Sequence, residues 1–163
     1  MRIDPSLEKT EDLLADATAL VHRAEIKIPP GSDPIVFGFR ENGALSIFFD
    51  TEVVYHFNSR HHLRRVFLHG ERYKAERGQL VCVRRIPGLR NVQLQSIPIE
   101  PPQLEHIFSV LDERLHRWHT MLNQGDYRIV NQISPGDDVV QRLQDCIPQL
   151  KRHQIALLPQ VDT

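Results

Sequence analysis

The hydrophobic period of this chain switches from 3.6 to 2 near residue 24 and returns to 3.6 near residue 100, and few folds satisfy that order. Between those points Ile26 and Ile28, then Ile35, Phe37 and Phe39, then Leu45, Ile47 and Phe49 alternate with more polar neighbours, which is the pattern of half-buried strands. Glu41-Asn42-Gly43, His69-Gly70-Glu71 and Arg77-Gly78-Gln79 supply residues that tolerate a left-handed backbone, so they predict tight hairpins and antiparallel pairing. The predicted strands are 24–28, 35–40, 44–50, 52–58, 63–69, 71–76, 79–86 and 91–97. The spacing of Phe39 to Leu45, Phe57 to Leu63 and Tyr73 to Leu80 repeats in step with successive hairpins.

Helices are predicted on both sides of this meander. Asp4-Pro5 is a helix start, and Leu13, Leu14, Ala17, Leu20, Val21 and Ala24 recur at helical spacing, giving an N-terminal helix within 1–23. Pro101-Pro102 opens a long helix over 101–124, with Leu104, Ile107, Phe108, Leu111, Leu115, Trp118 and Leu122 on one stripe and Gly125 at its end. A C-terminal helix is read over 134–153, started by Ser134-Pro135-Gly136-Asp137 and kinked at Pro148. With 163 residues and no linker, the chain reads as one domain, 1–163. The predicted class is α+β: an antiparallel β-meander of about seven strands over 24–98, strongly twisted toward a half-barrel, with the long helix packed on it and terminal helices flanking it.

The longest apolar runs span only a few residues, short of the ~20 of a membrane helix, and the acidic start does not fit a secretory signal. The expectation is a cytoplasmic protein that does not engage a membrane. Cys82 and Cys146 then read as reduced, packed thiols. Apolar residues at 155–158 predict a tail that docks on its own domain or on a second copy, and a sheet with edges to cover makes a homodimer the expected assembly.

Chemistry is sparsely signalled. The nucleotide-binding, nucleophile-elbow, Cys-x-x-Cys and His-Glu-x-x-His spacings are absent. On the long helix Asp112, His116 and His119 fall at i, i+4 and i+7, on one flank, where an aspartate and two imidazoles can hold zinc or iron with an open position. Glu113-x-x-His116 matches half of a di-iron signature, without the second half. A metal-dependent hydrolase or oxidase is therefore one reading, against a solvated helix flank as the plain alternative. His56, His61, His62 and His69 cluster around one predicted strand pair.

Charge is distributed unevenly although the net charge is −1. Residues 1–59 hold five Lys or Arg against ten Asp or Glu, residues 60–90 hold nine against two, and residues 91–163 hold six against nine. If Val66 and Leu68 face the core, alternation turns Arg65, Phe67 and His69 outward; if Tyr73 and Ala75 face it, Arg72 and Lys74 turn outward too, joined by Phe48. Arginines beside aromatics on an open sheet can hold single-stranded RNA. The competing arrangement offsets these cations with the chain's own Asp12 and Asp16, within one molecule or across a dimer, and makes Phe48 and Phe67 a second core layer. The reading taken is a small, non-enzymatic binding protein without a cofactor. Its candidate contacts are Arg60, Arg64, Arg65, Phe67, His69, Arg72, Lys74, Arg84 and Arg85, and its partner is an anion such as RNA or an acidic protein.

Overall fold

A computed structural model describes residues 20–27, 35–87, 92–133 and 138–157. Among the described residues ten strands form one sheet: β1 (His22–Lys27), β2 (Ile35–Phe39), β3 (Leu45–Asp50), β4 (Val53–Phe57), β5 (His62–Leu68), β6 (Glu71–Glu76), β7 (Gln79–Pro87), β8 (Val92–Pro98), β9 (Arg128–Ile133) and β10 (Lys151–Ile155). The spatial order is β8-β7-β6-β5-β4-β3-β2-β1-β9, with β10 lying parallel to β5 outside that path. All other ladders are antiparallel and the sheet is open, so the α+β antiparallel class stands with more strands than the sequence suggested.

The turns follow from local chemistry. His69-Gly70 and Arg77-Gly78 have positive φ at both residues, as two-residue hairpins with the sheet's own twist require. Between β4 and β5, the Asn58 side-chain oxygen accepts from the amides of Arg60 and His62 while His61 takes φ 66°. The predicted strands of the meander lie within two residues of the observed ones.

Among the described residues two α-helices lie on one face. Helix α1 (Pro101–Gln124) begins with proline at its first positions, where no amide partner is lost, and ends on left-handed Gly125. There the Gly125 and Asp126 amides close on the Leu122 and Met121 carbonyls. Its stripe of Ile107, Phe108, Leu111, Leu115, Trp118 and Leu122 packs on Phe37, Phe49, Tyr55 and their neighbours. The Tyr55 hydroxyl donates 2.7 Å to the Ile107 carbonyl, tying helix to sheet. No described helix is long and apolar enough to cross a membrane.

The C-terminal region corrects the sequence reading. Helix α2 spans only Val139–Cys146, its first turn capped by the Asp138 carboxylate accepting from the Gln141 amide. Pro148 sits in a 3-10 turn, Ile147–Gln149, and the helix does not resume, because proline lacks the amide that would continue it. Residues 151–155 form strand β10 instead of helix. The Ala156 amide donates to Leu63 and its carbonyl accepts from Gly78, so the apolar tail docks on its own domain. The expected N-terminal helix and the Ser134–Asp137 cap fall outside the described residues.

On the opposite face, Leu20, Phe48, Val54 and Phe67 form a second, smaller buried cluster with Val36 beside it.

Candidate functional site

The sheet face turned away from α1 and α2 collects the cations. Strand alternation fixes the sides: Ala24, Ile26, Val66, Leu68, Tyr73 and Ala75 belong to the helix-side core, so Arg23, Lys27, Arg65, Phe67, Arg72 and Lys74 point the other way. Across β5 and β6, Arg65 pairs with Lys74 and Phe67 with Arg72; Arg72 in turn pairs with Val83 of β7, which carries Arg85 two residues further on the same side. Among the described strand residues this face holds seven cations, Arg23, Lys27, Arg65, Arg72, Lys74, Arg85 and, opposite Lys27, Arg128, against the carboxylates of Glu25 and Glu76. Lys74 and Arg85 are exposed, and Lys74 lies 3.6 Å from Glu76 in a solvent-facing pair. Such a pair is weak enough to exchange for another anion.

A bulge concentrates the charge. His56 faces Arg65 while Phe57 faces Leu63, so Arg64 is the extra residue of β5 and sits with Arg65 opposite one histidine. His56 is buried and its Nδ1 lies 2.7 Å from the Ser46 hydroxyl oxygen. Burial, followed by the guanidinium groups of Arg65, Arg64 and Arg40, holds its pKa well below the usual histidine value. The imidazole is thus a neutral spacer under a group of fixed positive charges.

The nine candidate contacts do not form one surface. Arg65, Arg72, Lys74 and Arg85 share the face. Arg64 is only 2% exposed and is part of the interior, because the bulge tucks it under the sheet. Arg84 alternates to the helix side, where it lies 3.4 Å from the Glu71 carboxylate, itself the acceptor of the Cys82 thiol. Arg60 and His69 occupy turns at opposite ends of β5. Phe67 is 9% and Phe48 8% exposed, so the aromatic platform expected for base stacking is a second core layer, with the Arg72 guanidinium 5.9 Å from the Phe67 ring. The offset by Asp12 and Asp16 lies outside the described residues.

The α1 flank is met by strand β10. Asp112 meets His153 of β10, Oδ2 to Nε2 at 3.0 Å, with the His153 ring against Phe108. His116 is exposed, and His119 lies 3.4 Å from the Asn123 amide nitrogen on the helix surface. Asp112, His116 and His153 line an open groove of about 810 Å³ together with Glu105, Phe108 and Glu113. Among the described residues no three His, Cys, Asp or Glu side chains are gathered as a metal would require, Asp112, His116 and His119 included. His153 was not found from sequence because β10 was read as helix. The two cysteines are buried free thiols; burial pushes Cys146 up to about 11, which makes it a poor nucleophile, and its sulfur lies 3.5 Å from His61.

Comparison of the chain with protein-family models, curated proteins and solved structures finds no match.

Proposed function

We propose that this protein is a non-enzymatic binding protein that docks an anionic partner on the sheet face turned away from its helices. The observation that carries the reading is the cross-strand placement of Arg65, Lys74, Arg72 and Arg85 on three neighbouring strands of one face. Strands lie ~4.8 Å apart and same-face residues ~6.6 Å apart along a strand, so these cations form a grid that can follow an extended chain of negative charges. With Phe48 and Phe67 buried, recognition is of charge and not of base rings, which suits the phosphate backbone of RNA or an acidic protein segment.

Lys74 and Arg85 are the residues to test, because both are exposed and their reversal leaves the core alone. Anisotropy titrations of a labelled single-stranded RNA and an oligo-glutamate peptide at several salt concentrations form the assay. Lys74→Glu with Arg85→Glu should weaken binding at least tenfold and flatten the logarithmic salt dependence by about 1.4 for RNA, ~0.7 for each lost phosphate contact. Absence of binding by either polyanion at low salt, or an unchanged salt slope in the double variant, defeats the reading.

A further inference from the structure

The open sheet has two ends, and they are not equally protected. Strand β9 carries Arg128 at its start and meets β1 through a bulge between Glu25 and Ile26, two devices that discourage further pairing. Strand β8 has neither. Its sequence, Val-Gln-Leu-Gln-Ser-Ile-Pro, contains no charge, and its ladder with β7 runs without a register shift from Val81–Pro98 to Pro87–Val92. Only Pro98, at the very end, blunts it.

The outer half of this edge also stands clear of the body. The β6–β7 ladder ends at the Arg72–Val83 pair, so among the described strands Arg84 to Pro87 pair with β8 alone. Residues 84–87 and 93–96 are exposed on both faces of this ribbon, Leu94 at 66% and Ile86 at 39%. An uncharged, straight, seven-residue edge strand with an outward leucine is a template for one more strand.

We infer that β8 pairs antiparallel with β8 of a second copy, joining two sheets across a two-fold axis. Self-pairing fits the composition: an uncharged strand sets no like charges against its own copy, and Gln93, Gln95 and Ser96 can hydrogen-bond along the seam. The nearest repelling groups, Arg84 and Arg85 of β7, are held apart. Three strand spacings, ~14 Å, separate β7 from its symmetry mate, against a screening length of ~8 Å at physiological salt. Antiparallel strands in a continuous sheet are related by an axis perpendicular to that sheet. Both cation-bearing faces therefore open to the same side, and the dimer presents one basic surface twice as wide. The pairing itself does not depend on the anionic-partner reading.

Sedimentation velocity of the full chain tests the pairing directly. The wild type should sediment as a species of twice 18.9 kDa. Leu94→Lys places two like charges near the axis at a position already in solvent, so it should raise the dimer dissociation constant at least about tenfold with an unchanged circular dichroism spectrum. Ile129→Lys, on β9, should leave the dimer intact. A wild-type monomer at all soluble concentrations overturns the inference, as does dissociation by Ile129→Lys but not Leu94→Lys, or an open ladder of oligomers, which would mean β8 pairing with β9. Polyanion titration of Leu94→Lys then stands apart: lost dimer with retained binding leaves the basic face in place.

Discussion

Acid should destabilise this protein through His56, and the effect can be isolated. In the folded state burial and the guanidinium groups of Arg65, Arg64 and Arg40 keep the imidazole neutral, whereas in the unfolded chain it titrates near 6.5. Below that pH the unfolded chain binds a proton that the folded one refuses, so folding stability is fully present above about 6.5 and falls as the pH drops. One proton of difference corresponds to ~1.4 kcal/mol for each pH unit while the folded ring remains neutral. For a domain of this size that is about 3–5 °C in Tm per pH unit. The assay is thermal unfolding by circular dichroism at steps between about pH 7 and pH 5, on the wild type and on His56→Gln. The other eight histidines are common to both proteins, so the difference between the two slopes reports this one site. The variant should start less stable at pH 7, having lost the 2.7 Å contact with Ser46, and should then lose stability more slowly. Parallel slopes, or a wild type that holds its stability better than the variant as pH falls, would refute the account of a buried neutral imidazole among arginines.

Two further perturbations probe how the layers are held. Trp118→Ala removes a 3% exposed ring that meets Phe49 at 4.9 Å and Phe37 at 5.8 Å, both edge-on; a loss of about 3–5 kcal/mol is expected, seen as a lower urea midpoint at unchanged slope, and a loss under about 1 kcal/mol would contradict the packing. Gly38→Ala would drive a Cβ into the His22 carbonyl oxygen on β1, so the β1–β2 ladder must spread at a cost of about 1–3 kcal/mol, and a Tm equal to the wild type would show that the strands do not approach this closely.

Much of the sheet was legible because each hairpin announces itself twice, by period-two alternation and by a left-handed residue pair such as His69-Gly70 or Arg77-Gly78. Helix α1 was legible for the same reason, since its apolar stripe and its proline and glycine ends agree. Strand β9 was not: Arg128 to Gln132 are exposed on both faces, so no alternation of burial is imposed on their sequence. Strand β10 was hidden by the apolar spacing of α2, which continues through Ile147 and Leu150 although Pro148 ends the helix. Within the site, alternation correctly set Arg65, Phe67, Arg72 and Lys74 on one side. It failed at Arg64, where a bulge breaks the period, whereas Arg84 obeys it but falls on the helix side with Cys82. The burial of Phe67 depends on what covers the second face, which no local pattern encodes.

The parallel contact between β10 and β5 has a bearing on how the chain is made. The Leu63 carbonyl and the Gly78 amide, both in the earlier half of the polypeptide, find their partner at Ala156. A nascent chain can assemble its hairpins as they emerge, but the gap beside β5 stays open until the residues around 156 are released. The seal is therefore put in place only after every strand of the meander has emerged, and until that moment the growing protein presents part of its interior to whatever else is nearby.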